Sequence, residues 1–182
     1  MIKGKNVNIK ILEKRHLEKL RLMRNDPEIN IFLTSVIPIT EYMQEEWFKR
    51  LGLDSSKMYF SIENKRGAFM GIVRCDEWDK INQSIRIGID IFPAYQRRGL
   101  ATETYNFFVK HLFEDLGIHR VWLLVVAFNK PAIQLYKKLG FKVEGTQREA
   151  IFRNNKFNDH IMMSVLRNTY EKTLSRGQPS DR

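Results

Sequence analysis

The sequence is poor in the residues that build disulfide-rich, fibrous or disordered chains. Cys75 is its one cysteine, so neither an intramolecular disulfide nor a cysteine-based metal cluster can form within the chain. Ten glycines and five prolines among 182 residues exclude collagen-like and low-complexity classes. Hydrophobic residues make up 43% of the chain, which is ordinary for a protein with a packed core. A chain of this length predicts one globular domain.

Long apolar runs are also missing. No stretch approaches the roughly 20 apolar residues that a membrane-spanning helix needs. The first ten residues are polar and basic, and they lack the apolar segment of a signal peptide. We therefore expect a cytoplasmic protein with no membrane partner.

The histidines lack the spacing of a metal site, so no metal is predicted. There are four of them, and each is interpreted as a surface or strand-end residue: His16, His111, His119 and His160.

Basic residues exceed acidic ones, 31 to 21, which gives a formal net charge of +10. This excess favours an anionic partner such as a phosphorylated ligand. The basic residues are scattered along the chain, whereas nucleic-acid binding needs a concentrated patch, so a nucleic-acid partner is not expected.

Hydrophobic periodicity predicts an α/β domain over residues 1–167, followed by a polar, flexible tail over 168–182. The predicted strands are 6–12, 58–63, 68–75, 84–91, 121–126, 141–152 and 157–166, and the predicted helices are 16–24, 40–51, 101–117 and 129–139. The apolar face of the 40–51 helix is expected to hold Tyr42, Met43, Trp47 and Leu51. The strand at 84–91 alternates most clearly and is expected at the centre of the sheet.

A candidate anion site lies between that strand and the next helix. In the turn Gln96-Arg97-Arg98-Gly99-Leu100-Ala101, successive backbone N–H groups converge at the positive end of a helix. Gly99 allows close approach of a phosphate to the backbone, and the two arginines add charge. The turn therefore predicts a diphosphate site.

This turn resembles the Q/R-x-x-G-x-G/A motif of the GNAT superfamily of acyl-CoA N-acyltransferases. Asn129-Lys130-Pro131-Ala132 and Leu135-Tyr136-Lys137-Lys138-Leu139-Gly140-Phe141 are similar to the block that follows in that superfamily. The resemblance implies a single GNAT domain whose central sheet is mixed, mostly antiparallel, with about six or seven strands and about four flanking helices. It also implies a splay between the strand ending at Ile91 and the strand at 121–126.

The resemblance further implies acetyl-CoA as the acyl donor and assigns roles to residues. Backbone groups around Ile89 and Ile91 would bind the pantetheine arm, and Asn129 would contact it. Tyr136 would protonate the departing thiolate, because the pKa of a phenol is near that of a thiol. The alternative for Tyr136 is a core aromatic. The amides that would bind the pyrophosphate belong to Gln96, Arg97, Arg98, Gly99, Leu100, Ala101 and Thr102.

The general base stays open. Many superfamily members carry a glutamate in the central strand, where this sequence has Arg86. Asp90 is one substitute, bulk water is another, and the N-terminal carboxylates are equally open: Asp26, Glu28, Glu41, Glu45 and Glu46.

The acceptor is interpreted first as a protein N-terminal amine. The segment Arg24-Asn25-Asp26-Pro27-Glu28, followed by the helix with Trp47, resembles the ribosomal-protein N-terminal acetyltransferase branch. The segments 95–102 and 135–145 are similar to spermidine acetyltransferases, so a polyamine is the alternative, and an amino sugar stays open. A non-catalytic acyl-CoA-binding module is the hypothesis from another class. A homodimer is kept open as an assembly.

Overall fold

The computed structural model describes residues 1–170, in which one sheet organises the fold. Its strands are β1 Ile2–Lys3, β2 Asn8–Ile11, β3 Met58–Glu63, β4 Phe69–Asp79, β5 Ser84–Ile91, β6 Arg120–Val126, β7 Lys142–Arg153 and β8 Lys156–Leu166. The order is β1-β2-β3-β4-β5-β6-β8-β7, and every neighbouring pair is antiparallel except β5 with β6. The predicted mixed, mostly antiparallel sheet is confirmed, with the two-residue β1 as an additional strand.

The α-helices that flank the sheet are α1 Leu17–Asn25, α2 Pro27–Asn30, α3 Glu41–Leu51, α4 Leu100–Glu114 and α5 Lys130–Lys138. Residues 167–170, after the last strand, are helical as well. The short α2 was not predicted, because Pro27 was expected only to end the preceding helix. Proline is also well suited to the first position of a helix, and the Asp26 side chain accepts a hydrogen bond from the Glu28 N–H. Pro27 therefore both ends α1 and begins α2.

The predicted apolar face of α3 is partly wrong. Tyr42 is 72% exposed and Met43 is 46% exposed, whereas Gln44 is buried. Trp47 and Leu51 do pack against the core, as predicted. The buried amide of Gln44 hid the true inward face, because a polar residue at that position indicates an outward one.

The two faces of the sheet carry separate cores. On one face, Ile85 and Ile87 of β5 pack with Phe108 of α4. On the other, Leu20 of α1 packs with Ile72 of β4. Each fully buried side chain of this size contributes about 1.5–3 kcal/mol to folding. Helices α4 and α5 therefore cover one face, and α1 to α3 cover the other.

The only parallel pair in this sheet opens after a short contact. Ser84–Arg86 of β5 pairs with Arg120–Trp122 of β6. Beyond that point β5 continues to Ile91 and β6 to Val126 without pairing to each other. The predicted splay is thus present, and it leaves backbone groups of β5 free on the side facing β6.

The described chain ends in ordered structure. The Tyr170 ring lies 5.1 Å from that of Phe113, between centroids, so the first residues of the predicted tail pack on the core. Residues 171–182 of that tail lie outside the described residues. Within residues 1–170, no helix has the length and apolar character needed to cross a bilayer.

Candidate active site

The splay between β5 and β6 opens a cavity of about 140 Å³. Ala132 and Tyr136 of α5 and Asn129, the N-cap of that helix, line the cavity, and α5 packs on the α4 face of the sheet. Residues on the α1 to α3 side complete the lining, among them Phe32, Leu33, Thr34, Arg74, Asp76, Arg86 and His160. The cavity therefore connects the two faces of the sheet through the gap between the strands.

Tyr136 is held at this cavity by a well-defined short helix. The Asn129 side chain caps α5 by accepting a hydrogen bond from the Ala132 N–H at 3.2 Å. The Tyr136 ring lies 5.4 Å from that of Tyr105 and 5.8 Å from that of Phe141, between centroids. Tyr136 thus packs as a core aromatic and also lines the cavity, and its role as the acid stays a prediction.

The environment of Tyr136 keeps its phenol protonated. Burial raises the pKa of Tyr136, the neighbouring Tyr105 phenol opposes that shift, and the Asp90 carboxylate adds to it. A raised pKa means that the phenol carries its proton at neutral pH, which is the state a proton donor needs.

The turn before α4 has the backbone geometry of an anion site. Arg97 and Gly99 have φ angles of 59° and 75°, so both are in the left-handed region. The side-chain amide of Gln96 donates a hydrogen bond from Nε2 to the Ile91 carbonyl oxygen at 2.8 Å. This bond connects the turn to the end of β5. The first amides of α4, Leu100 to Thr102, have no acceptor within the helix, as at any helix start.

Open space adjoins this turn. No atom lies within 4 Å of where a Cβ on Gly99 would stand, so a ligand can approach the backbone there. Gly99 is therefore favoured by its left-handed conformation as well as by ligand access. The Leu100 side chain is buried in the core, and the Arg98 guanidinium lies 5.9 Å from the centroid of the Tyr95 ring. Because its side chain is buried, Leu100 can contact a ligand only through its backbone.

Two ion pairs cross from β4 to β5 on the face that leads into the cavity. Arg74 Nε lies 3.0 Å from Asp90 Oδ2, and Arg86 lies 3.6 Å from Asp76 Oδ2. Gly88 sits between them, and a Cβ there would stand 2.7 Å from a guanidinium nitrogen of Arg74. Gly88 therefore leaves room for the Arg74 side chain. The four charges balance.

Asp76 has partners for both carboxylate oxygens. The Tyr59 hydroxyl donates to Oδ1 at 2.8 Å, and Arg86 faces Oδ2. Arg86 also lies 2.9 Å from Glu77 Oε1. The sequence did not single out Asp76 or Arg74, although their alternation in an otherwise apolar strand was a usable signal.

His160 lies at the cavity, and the strand-end interpretation of it was wrong. It sits within β8, paired with Val126 of β6 and Gln147 of β7, and it is 7% exposed. Burial lowers the pKa of His160, and the charges of Arg153 and Arg86 lower it further. The imidazole is therefore neutral at physiological pH.

Of the carboxylates considered as general bases, only Asp90 lies at the cavity. Asp90 lines the cavity but is paired with Arg74. The lining includes none of the N-terminal candidates Asp26, Glu28, Glu41, Glu45 and Glu46. Glu41 and Glu45 instead line a separate groove between α1 and α3. The cavity therefore lacks the acidic lining that a set of N-terminal carboxylates would give it.

Comparisons with known proteins agree with this geometry. Spermidine N(1)-acetyltransferase of Escherichia coli (strain K12) is 32% identical over 117 residues, which are 64% of this chain and 62% of that enzyme. The L-amino acid N-acetyltransferase AaaT of the same organism is 27% identical over 158 residues, 86% of this chain and 95% of that enzyme. The chain thus matches less than two thirds of the length of the E. coli spermidine enzyme.

Solved structures share the whole architecture. The crystal structure of spermidine N-acetyltransferase from Vibrio cholerae in complex with CoA and spermine superposes with a TM-score of 0.87 at 25% identity, covering 92% of this chain and 99% of that one. Another structure of that enzyme, with a TM-score of 0.82, is dodecameric. The model of the acetyltransferase (GNAT) domain family matches residues 7–142. The chain therefore belongs to the GNAT acetyltransferase family.

Proposed function

We propose that the protein is an acetyl-CoA-dependent N-acetyltransferase in which a primary amine attacks the thioester directly. The cavity through the splayed strands carries this proposal, because Tyr136 from one face of the sheet and charged side chains from the other face line the same space. Tyr136 holds a proton at its hydroxyl and donates it to the departing sulfur.

The described residues fit the donor that the family uses. The amides of the turn from Gln96 to Thr102 would hold the pyrophosphate, with Arg97 and Arg98 adding charge. The backbone of β5 around Ile89 and Ile91, which pairs with β4 but not with β6, would hold the pantetheine arm, and Asn129 borders the same cavity. Bound there, acetyl-CoA supplies the activated acetyl group.

A polyamine is the acceptor that similarity supports best. The E. coli and Vibrio cholerae relatives act on spermidine by name, so this class replaces a protein N-terminus as the leading proposal. A narrow cavity of about 140 Å³ suits a slim aliphatic amine. The Vibrio cholerae dodecamer supports an assembly of several copies here as well, with a homodimer as the smallest unit.

The charge of the cavity favours a second acceptor class. Two guanidinium groups balance the two aspartates of the lining, whereas a polycation is best bound by an acidic pocket. An amine that also carries a carboxylate, such as an amino acid, matches a balanced site. The similarity to an L-amino acid N-acetyltransferase supports this candidate.

Thiol release from acetyl-CoA tests both classes. Spermidine, L-amino acids and a short peptide are offered in parallel, and the acetylated product is identified by mass. Faster release with spermidine supports the polyamine, and faster release with amino acids supports the second class. Tight CoA binding without turnover of any amine would instead support a non-catalytic module.

The role of Tyr136 is tested with Tyr136→Phe. We expect kcat to fall about 10²-fold, because the thiolate loses its proton donor, while the Kd for CoA stays within about twofold since the ring remains. Tyr42→Phe is the matched control, because Tyr42 is exposed on α3. An unchanged kcat in folded Tyr136→Phe would remove Tyr136 as the acid.

A further inference from the structure

The cavity contains one proton acceptor whose polar atoms are not already engaged. Asp76 accepts from Tyr59 and faces Arg86, and Asp90 is paired with Arg74. His160 lines the same cavity and makes no side-chain hydrogen bond to any of the described residues. A buried imidazole without such a partner, at a cavity wall, is available to a ligand.

His160 lies on the face of the sheet that α1 to α3 cover. In the ladder from β6 to β8, Trp122 is opposite Ser164 and Val126 is opposite His160. Trp122 is also the register partner of Arg86. Because side chains alternate along a strand, His160 and Arg86 point to the same face. Tyr136 belongs to α5, which covers the opposite face.

We propose that His160 is the catalytic base of the transfer and accepts the proton of the attacking amine. The inference rests on the proposed function and extends it, because it assigns the base that the sequence left open. His160 and Tyr136 come from opposite faces of the sheet and line one cavity, so the amine can lose a proton to one residue while the sulfur receives a proton from the other.

The step balances with these two groups. The amine nitrogen forms a bond to the acetyl carbon, and the bond from that carbon to sulfur breaks. The nitrogen becomes acidic as its bond forms, and one of its protons passes to the His160 imidazole. The Tyr136 hydroxyl gives its proton to the sulfur. The imidazolium then returns a proton to the tyrosinate through solvent, which leaves an amide, a thiol and an unchanged protein.

The surroundings keep the imidazole in the accepting form. Arg153 of β7 and Arg86 of β5 place positive charge near His160, and the titratable side chains that line the same cavity with it are Arg74, Asp76, Arg86, Asp90 and Tyr136. Burial and the two arginines lower the pKa of His160. The base form therefore predominates at neutral pH, and its loss falls on the acid side of the pH profile.

The experiment compares wild type, His160→Gln and His111→Gln. Glutamine keeps a polar side chain but does not titrate, and His111 lies on α4 as a matched histidine outside the cavity. The pH dependence of kcat/KM is measured with the best acceptor among spermidine, L-alanine and a tetrapeptide. Far-UV circular dichroism and the melting temperature establish that each variant is folded.

We expect His160→Gln to lower kcat/KM about 10²-fold or more and to lose the acidic limb of the profile. We expect His111→Gln to match wild type, and free imidazole to restore part of the activity of His160→Gln. A folded His160→Gln variant with the wild-type rate and profile overturns the proposal.

A binding measurement covers the case in which the variant does not fold. In wild type, the His160 imidazole resonance is followed by NMR while each amine of the panel is added to the CoA complex. A shift specific to His160 supports contact with the acceptor, and no shift with any amine overturns the proposal. If no amine is acetylated although the resonance moves, the proposed function fails while the contact with His160 stands.

Discussion

His16 belongs to a buried polar cluster that is separate from the active site. Its Nε2 lies 3.1 Å from Glu63 Oε1, and its ring stacks on Phe69 with centroids 5.7 Å apart. The Glu13 N–H donates to His16 Nδ1 at 2.9 Å. Burial lowers the pKa of His16 and Arg15 lowers it further, while Glu63 opposes them. The surface or strand-end interpretation of His16 was therefore wrong.

This lowered pKa predicts a pH-dependent stability. Between the folded pKa and the ordinary value of about 6.5, the unfolded chain binds a proton at His16 that the folded chain does not. The free energy of unfolding should therefore fall as pH is lowered from about 7.5 to about 5.5. His16→Asn removes the titration and should give a flatter slope in urea unfolding measured across this range. Parallel slopes for the two proteins would contradict the linkage.

The sequence predicted residues that belong to a local motif and missed those that meet only in the fold. Tyr136 and Asn129 were found because they stand at fixed spacing on one helix. Asp76 and His160 lie far apart in the chain and reach one cavity through the pairing of different strands. The sequence contained one weak indication of His160, because it is a polar residue within an apolar strand.

The pairing of β4 with β5 depends on a close backbone approach at Gly71. A Cβ at this residue would stand 2.3 Å from the Asp90 carbonyl oxygen and 3.0 Å from Ile91 Cα. Both atoms belong to the backbone of β5, and Asp90 also lines the cavity. The strands can therefore keep this spacing only with glycine at position 71.

We expect Gly71→Ala to lower the free energy of unfolding by about 1–3 kcal/mol, because the strands must separate to admit the methyl group. The same movement displaces Asp90 and Ile91, so affinity for CoA should also fall. Gly52→Ala is the control, since the nearest atom to its Cβ would be 3.6 Å away. Urea unfolding and CoA titration measure the two effects, and equal stability of both variants would show that the approach can relax.

At the scale of elements, local patterns predicted most strands but not their partners. The alternation of β5 is confirmed. The predicted helices 40–51 and 129–139 are present as α3 and α5, with Thr40 and Asn129 as their N-caps. The splay after Arg86 came from family resemblance, because no local pattern specifies where two distant strands stop pairing. The inward face of α3 was predicted only in part, because tertiary packing, rather than the local sequence, decides that Gln44 is buried.

The charge of the whole molecule bears on the donor more than on the acceptor. The formal net charge is +10, yet the cavity itself is balanced by paired side chains. Arg97 and Arg98 flank the turn that would receive the pyrophosphate. The positive excess should therefore attract the anionic donor, whereas the amine enters a site with no strong charge of its own.

The contrast between the basic turn and the balanced cavity predicts how salt affects the affinity for the donor. The Kd for CoA should rise between about 50 mM and about 500 mM salt, because the Debye length shortens to a few ångströms. Arg97→Asn with Arg98→Gln should weaken binding about tenfold at low salt, a loss of about 1.4 kcal/mol, and flatten the salt dependence. Asparagine at position 97 tolerates the left-handed backbone, so the turn is kept.

Lys19→Gln serves as the control for net charge, because Lys19 is exposed on α1, away from the turn. It removes one positive charge and should leave both the affinity and its salt slope as in wild type. Isothermal titration of CoA at several salt concentrations provides the comparison. Equal slopes for the double variant and wild type would mean that backbone amides, rather than Arg97 and Arg98, supply the attraction. A shallower slope would place that attraction at the two arginines beside the start of α4.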